Sequence, residues 1–353
     1  MSYQNKQYRG FMECKDSVDC NNSSKKNDDV KGGLLFSLSD HSEKDKKWDY
    51  AKSNAKKIAD FLPHSVPISD GFHSRFMKWS ERLHDCANTL QFKQHFDVNT
   101  GEVGKFKLDR AFFCHARNCP VCDWRKSLMR SAMFFQKLPE IEKTYPSARW
   151  ILVTLTVPNC PIGDLRSTLG AMSKAWQRLI QRKEVAKNML GFVRSTEVTK
   201  EEKRNGYAHP HYHALILMKS TYFSVGYIKQ ARWTELWMQA MRSNEFLSVN
   251  VQAVKGNGSV GAVEVLKAFN YSIKTDQVLL NDPDWLINYY KQTDALRFTN
   301  AGGVLKGLFT KVDNATDDDL IHTGEEDLES LEPDYLSMIF TYFETRGKYY
   351  SRV

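Results

Sequence analysis

Two histidines in the segment HPHYHALILM, residues 209–218, have a spacing that suits metal binding. In a β-strand, side chains two positions apart point to the same face, so His211 and His213 project together and can hold one divalent cation. Leu215 and Leu217 continue this face with apolar side chains, which predicts that the strand enters a core. The alternative is a pair of core histidines that are satisfied by hydrogen bonds and bind no metal.

A carboxylate on the neighbouring strand can complete this site. The strand-like segment FVRSTEVT (192–199) is separated from the histidine strand by the turn-rich stretch KEEKRNGYAHP, a pattern typical of a β-hairpin. Glu197 is the candidate third ligand, and an oxygen ligand favours Mg²⁺ or Mn²⁺. His209 is also close, although Pro210 interrupts the alternation. Taken alone, Glu197 also fits a solvated strand residue.

A cysteine block has the spacing C-x4-C-x2-C, with one further cysteine 28 residues upstream: Cys114, Cys119, Cys122 and Cys86. Structural zinc takes four ligands in tetrahedral geometry, and a CxxC turn is the usual half of such a site. We therefore predict a structural Zn²⁺ on these four thiolates, with His115 or His84 as competing fourth ligands. The alternative is a group of buried reduced cysteines. Seven cysteines in a chain without an export signal argue against a disulfide framework.

A tyrosine in VEVLKAFNYSIKTD is a candidate nucleophile. Spacings of three, four and three residues place four side chains on one stripe of a helix: Glu264, Lys267, Tyr271 and Lys274. Phenol has a free pKa of about 10 and is a poor nucleophile at neutral pH, so lysines that hold the attacked phosphate would assist it. The alternative is a surface helix with ion pairs.

The charge is distributed unevenly along the 353 residues. The net charge is +8, but residues 311–335 hold ten acids against Lys311 alone and contribute −9, so the remainder carries +17. A body this basic, with 12% aromatic residues, suits a polyanionic partner such as DNA. Cationic side chains displace counterions from phosphates, and aromatic rings stack on unpaired bases. An ordinary basic surface is the alternative interpretation.

Membrane and secreted classes are not expected. No apolar run approaches the roughly 18 residues that a membrane span needs. The N-terminal stretch MSYQNKQYRG lacks the apolar core of a secretory signal. The sequence therefore predicts a soluble, cytoplasmic protein.

The elements that must position these residues alternate between strands and helices. The apolar, β-branched run RWILVTLTV (149–157) predicts a buried strand, and apolar residues at helical spacing after Asp164, a plausible N-cap, predict a helix. After the hairpin we expect a helix over about 225–242, a strand over 248–254 and a helix over about 261–274. This order predicts the α+β class, with a central antiparallel sheet and helices packed on one face.

Composition divides the chain into five parts. We predict a disordered polar tail over 1–50, a helical zinc-binding module over 51–145, a catalytic domain over 146–310, an acidic linker over 311–335 and a C-terminal helix over 336–353. The tail is rich in Lys, Asp, Asn and Ser, and it holds few apolar residues that could offset the entropy lost on ordering.

In this order, the motifs resemble those of the replication initiators of rolling-circle plasmids, in the HUH endonuclease superfamily. The resemblance covers roughly Arg82 to Leu308 and rests on RLHDCANTL, AFFCHARNCPVCDWRKSL, ILVTLTVPN, HPHYHALIL, NYSIK and AGGVLKGL. It implies a ferredoxin- or RRM-like palm joined to an N-terminal helical zinc module. One departure is that Lys267 stands where the plasmid members commonly carry a glutamate, four residues before the tyrosine. Glu264 lies about 10 Å along the helix axis from Tyr271.

The resemblance implies a metal-dependent DNA nickase and strand transferase. Tyr271 would attack origin DNA, single-stranded at the nick, leaving a 5′-phosphotyrosine and a free 3′-OH, while Lys274 and Lys267 neutralise phosphoryl oxygens. Glu264 is the candidate base for the terminating step. Basic residues after the cysteine block are candidate phosphate contacts: Arg125, Lys126 and Arg130. A host helicase and polymerase are the implied protein partners.

Two other functions fit parts of the pattern. A related HUH transposase or conjugative relaxase would use the same chemistry, and only the cysteine block favours the initiator. A non-catalytic zinc-containing DNA-binding repressor would keep the cysteines and the basic body but has no use for His211, His213 and Tyr271.

Overall fold

A computed structural model describes residues 35–41, 43–96, 103–116, 118–254, 282–323 and 335–352. The strands in these ranges are β1 (Leu35–Ser37), β2 (Thr89–Phe96), β3 (Val103–Ala111), β4 (Arg149–Thr156), β5 (Cys160–Pro161), β6 (Met189–Lys200), β7 (Tyr207–Met218), β8 (Val249–Ala253), β9 (Thr299–Gly303), β10 (Tyr335–Phe343) and β11 (Lys348–Arg352). The α-helices are α1 (Leu38–His41), α2 (Lys46–Phe61), α3 (His73–Asp85), α4 (Pro120–Thr144), α5 (Leu165–Ile180), α6 (Lys183–Ala186), α7 (Gln230–Met241), α8 (Pro283–Thr293), α9 (Thr310–Asp313) and α10 (Asp317–Ile321). None of these described helices is both long and apolar enough to cross a lipid bilayer.

The central sheet contains the predicted histidine strand. Its antiparallel order is β8-β4-β7-β6-β9, and β5 pairs with β7. Strands β6 and β7 form the hairpin that the sequence predicts, and β4, α5, α7 and β8 agree with the predicted segments. Antiparallel sheets with separate helices confirm the α+β class. The helix predicted over about 261–274 lies outside the described residues.

Helices cover both faces of the central sheet, so the prediction of helices on one face is wrong. On one face, Tyr212 and Ile216 of β7 pack with α5 and α7 in the main core. On the other face, Leu215 and Leu217 pack in a second apolar cluster with side chains of α4, including Phe134. Both faces of this strand are therefore partly apolar, and each needs a covering layer. The α4 layer covers the leucine half of the face that also carries His211 and His213.

A second sheet, here called the terminal sheet, joins strands from both ends of the described chain. Its antiparallel order is β1-β11-β10-β2-β3. The predicted C-terminal helix over 336–353 is therefore wrong, because this segment is a β-hairpin that turns at Gly347, where φ is 62°. Phe340 and Tyr342 both point into the core, because side chains two positions apart in a strand share a face. The pairing of β10 with β2 fixes which face is buried.

The predicted division into a tail, separate modules and an acidic linker also needs correction. The described residues between Leu35 and Arg352 belong to one compact unit, and one core cluster includes side chains of both sheets. The prediction of a disordered tail over 1–50 is wrong from Leu35 on, where β1 begins, and its part over 1–34 lies outside the described residues. The first part of the acidic segment forms α9 and α10, and a capping box of Thr316 with Asp319 begins α10.

Candidate active site and thiolate site

The register of the central sheet places the three predicted ligands of the catalytic cation on one face. Glu197 of β6 lies directly opposite His211 of β7, and Thr154 of β4 lies opposite His213. Residues opposite each other in an antiparallel pair share a face, and their side chains are close enough to interact. The hairpin thus positions the carboxylate and both imidazoles without a loop, on the most regular part of the fold.

One oxygen of Glu197 lies within hydrogen-bonding distance of both imidazoles. Its Oε2 atom lies 3.1 Å from Nε2 of His211 and 3.0 Å from Nε2 of His213. In an octahedral site with metal–ligand bonds of 2.0–2.1 Å, neighbouring ligand atoms are about 3.0 Å apart. The described side chains could therefore hold one divalent cation through two imidazole nitrogens and one carboxylate oxygen.

Two neighbouring groups orient the imidazoles. The Nδ1 atom of His211 lies 3.4 Å from the carbonyl oxygen of His209, which can only accept, so Nδ1 can keep its proton while Nε2 exchanges its own for a metal. Nδ1 of His213 lies 3.2 Å from the Thr154 hydroxyl. Such partners fix the tautomer and the ring direction of metal-binding histidines. The sequence analysis did not single out Thr154, because only the strand register shows that it lies beside His213.

The site is sheltered but reachable. The exposed fractions of the side chains are 17% for Glu197, 11% for His211 and 26% for His213. Hydrogen bonds from His211 and His213 hold the pKa of the Glu197 carboxyl well below its ordinary value. The carboxylate is therefore ionised at neutral pH and available as an anionic ligand. His209 packs at the edge of this group, 5.2 Å from the ring of His211, and its Nδ1 atom contacts Oδ1 of Asn159 at 2.5 Å.

The four predicted zinc ligands also converge. The Sγ atom of Cys86 lies 3.5 Å from those of Cys119 and Cys122, and Sγ of Cys114 lies 3.7 Å from that of Cys122. A tetrahedral site with Zn–S bonds of 2.3 Å has edges of about 3.8 Å, whereas a disulfide bond is about 2.05 Å long. The spacing fits four thiolates around one Zn²⁺, and it excludes disulfides within this group.

The surroundings of the cysteines also fit a bound cation. All four are buried, and the backbone amides of Cys114 and Ala116 donate hydrogen bonds to Sγ atoms. The fully buried ammonium of Lys52 donates to the carbonyl oxygens of His84 and Cys86, which brings a positive charge beside the thiolates. Burial raises the pKa of the Cys119 thiol, so four thiolates need a cation to coexist here.

The two histidines that competed for the fourth zinc position are engaged elsewhere. Nε2 of His84 lies 3.0 Å from Asp60, and Nε2 of His115 lies 2.6 Å from Asp317. The latter pair connects the cysteine block to helix α10 of the acidic segment. Among the described residues, Cys86 is therefore the group that lies within reach of the other three thiols.

Of the three candidate DNA contacts after the cysteine block, Arg125 does not lie on the surface. Its guanidinium donates to the carbonyl oxygens of Leu320 and Ile321, at 2.8 and 2.9 Å, and stacks near Trp48 and Trp124. These contacts use the guanidinium to hold α10 against α4, a position incompatible with a DNA contact. Its identity as a core residue was not visible in the sequence, since its acceptors lie almost 200 residues away.

The remaining predicted site residues are either half-buried on α4 or outside the described residues. Lys126 and Arg130 are half-buried on α4, and Arg130 lies 3.5 Å from Asp123. The four residues of the tyrosine stripe, Glu264, Lys267, Tyr271 and Lys274, lie outside the described residues, so their roles stay predictions.

Comparison with known proteins identifies the family. The model of the Rep_1 family, described as a replication protein, matches residues 105–350. A Protein rep from Streptococcus pneumoniae serotype 2 (strain D39 / NCTC 7466) is 31% identical over 293 residues, 81% of this chain and 86% of that protein. Two further proteins called Protein rep are both 34% identical: one from Lactiplantibacillus plantarum, over 67% of this chain and 81% of its own, and one from Bacillus amyloliquefaciens, over 71% and 79%. No solved structure matches the chain significantly.

The chain therefore belongs to the Rep_1 family of replication proteins. This assignment confirms the resemblance to rolling-circle plasmid initiators that the cysteine, histidine and tyrosine motifs predicted. The matched region includes the cysteine block from Cys114 on, the central sheet and the C-terminal hairpin.

Proposed function

We propose that this replication protein starts rolling-circle replication by nicking origin DNA through tyrosine transesterification. The observation that carries the proposal is the convergence of Glu197, His211 and His213, with both Nε2 atoms within 3.1 Å of one carboxylate oxygen. A buried hydrogen-bonded pair of histidines would not need a third, anionic partner on the same face. Membership of the replication protein family supports DNA as the substrate.

Glu197, His211 and His213 would hold Mg²⁺ or Mn²⁺. When bound, such a cation supplies a Lewis acid that polarises the scissile phosphate and stabilises its developing charge. Tyr271 is the proposed nucleophile, and the bond that it forms to phosphorus replaces the bond to the leaving 3′-oxygen. Lys274 and Lys267 would neutralise the phosphoryl oxygens. The products are a 5′-phosphotyrosine and a free 3′-OH, which a host polymerase in the cytoplasm can extend after a helicase opens the duplex.

Omitting the divalent cation tests the reaction class. We expect DNA of the cognate replicon to be nicked in reactions with Mg²⁺ or Mn²⁺ and to stay intact without them. The zinc content is measured on the same sample, so that loss of structural zinc is not mistaken for loss of the catalytic cation. Nicking at full rate without divalent cations, in protein that carries only its zinc, would contradict the proposed metal role.

Release of the finished circle requires a further group. A single tyrosine stays attached to DNA after one nick, and no second tyrosine shares the Tyr271 stripe. Glu264 is the carboxylate on that stripe, and we propose that it activates water for this step.

Replacing Glu264 by Gln removes the basic oxygen at nearly constant shape. Glu264→Gln should preserve the initial nick, but it should slow hydrolysis of the covalent adduct about a hundredfold, the usual scale of general-base catalysis. The measurement is the decay rate of the isolated protein–DNA adduct. An unchanged decay rate would shift this role to another group, such as Asp276.

A further inference from the structure

The outer face of the terminal sheet is unlike its inner face. In antiparallel pairs, residues opposite each other share a face, so the register defines three rows across β10, β2 and β3. These rows are Thr341 with Thr89, Ile339 with Gln91 and Arg110, and Ser337 with Lys93 and Lys107. The opposite face carries the core residues Leu90, Phe92 and Phe340. The outer face therefore holds hydroxyls, an amide, one apolar side chain and three cations.

The charge of this face is positive. The Arg110 side chain is 80% exposed, and Lys93 and Lys107 lie directly opposite each other on adjacent strands. The one carboxylate among the described residues of these strands, Asp109, lies at a bulge, where it pairs with Nζ of Lys93 at 2.6 Å and lies 3.8 Å from Nε of Arg110.

Aromatic and apolar groups lie among these cations. Ile339 and Phe112 are each 55% exposed, a large fraction for such side chains. On β11 and the end of β10, the rings of Tyr350 and Phe343 are 5.7 Å apart, and the guanidinium of Arg346 lies 5.3 Å from the Tyr350 ring. Phe112 is thus an exposed ring, and Phe343 and Tyr350 are half-buried rings beside cations, a combination by which proteins bind unpaired nucleic-acid strands.

A groove at one end of this face has the dimensions for a base. Its volume is about 440 Å³, and its walls include Phe112, Ile339 and the amides of Asn88 and Gln91. Arg110 lies at its edge, where it can reach a phosphate. Asp85 and Asp317 also line the groove, and a carboxylate there can accept from the amino group of a base.

We propose that the outer face of the terminal sheet binds single-stranded DNA, with one base in the groove beside Phe112. The proposal rests on the proposed function in taking DNA as the substrate, and it adds a binding surface separate from the histidine site. Unpaired bases can stack on the exposed ring of this face, whereas the bases of a duplex are already stacked and paired. A second copy of the chain is a poorer occupant, because an isologous contact would bring the same cations together.

Binding of an oligothymidine of about 16 nucleotides tests this surface, measured by fluorescence anisotropy without divalent cations so that no nicking is needed. The variant Arg110→Gln with Phe112→Ser removes one exposed cation and one exposed ring. The matched control, Lys174→Gln with Phe246→Ser, removes the same charge and the same ring from exposed positions outside the terminal sheet. We expect Kd to rise about tenfold in the first variant and to stay unchanged in the control. The dependence of log Kd on log salt should fall by about 0.7 for the lost phosphate contact.

A second variant guards against misfolding of the first. Ser337→Lys adds a cation to the same face at an exposed position and should lower Kd for the oligonucleotide. Unchanged affinity in both variants would overturn the proposal. So would an equal loss of affinity for duplex DNA, or a self-association that the first variant abolishes while binding stays intact. Nicking by the histidine site is read separately, so failure here leaves the nickase proposal standing.

Discussion

Alanine at either His211 or His213 is expected to lower metal-dependent nicking by about a thousandfold or more. Each imidazole is one of three proposed ligands, and its loss should remove both affinity for the cation and the placement of the cation against the phosphate. Glu197→Gln should also impair nicking, because it removes the negative charge that both Nε2 atoms face.

The control for this series is His322→Ala, since His322 is half-exposed and remote in sequence from the site. Rates are measured at saturating Mn²⁺ and again over a metal titration, so that weaker binding is separated from slower chemistry. If either alanine variant nicks at the wild-type rate, the histidines are ordinary core residues and the proposed mechanism fails.

Loss of one zinc thiolate is expected to unfold a large part of the protein. Structural zinc supplies on the order of 10 kcal/mol of folding free energy, comparable with the whole stability of a typical domain. Cys119→Ser should abolish zinc binding and lower the melting temperature strongly, measured by elemental analysis and thermal unfolding. Cys160→Ser is the matched control, because Cys160 is also a buried free cysteine but lies outside the group of four.

The structure extends this expectation to the active site. Helix α4 begins within the cysteine block and continues over the leucine half of the histidine face. Removal of zinc should therefore impair nicking as well as DNA binding, which differs from the behaviour of an independent zinc module. Wild-type protein purified without chelator that contains no zinc, or a Cys119→Ser variant as stable as Cys160→Ser, would contradict the zinc assignment.

The grouping of most candidate ligands could be predicted from the sequence because these residues lie close together along the chain. His211 and His213 are two residues apart, Cys119 and Cys122 are three apart, and Glu197 is one hairpin away, so strand and turn periodicity suffices to group them. The ligand count of zinc required a fourth group, for which the sequence left Cys86, His84 and His115 as candidates, and the fold brings Cys86 to the other three thiols.

The features that sequence periodicity missed depend on distant partners. The C-terminal hairpin pairs with β2, where Met338 lies opposite Phe92, and no local pattern shows that partner. From the sequence, Arg125 is predicted to be a basic surface residue, but in the fold it donates to the carbonyl oxygens of Leu320 and Ile321 in the acidic segment. The contact of Thr154 with His213 could not be predicted, because it depends on the register between β4 and β7.

Trapping and mapping the covalent protein–DNA adduct tests the central claim most directly. The protein is incubated with a single-stranded origin oligonucleotide and Mn²⁺, digested with protease, and the peptide that carries the nucleotide is sequenced by mass spectrometry. The account predicts a 5′-phosphate linked to Tyr271 and no adduct in Tyr271→Phe, while the variant still binds the oligonucleotide. A link to Tyr212, Tyr289 or Tyr290, or a Tyr271→Phe variant that nicks at the wild-type rate, would contradict it.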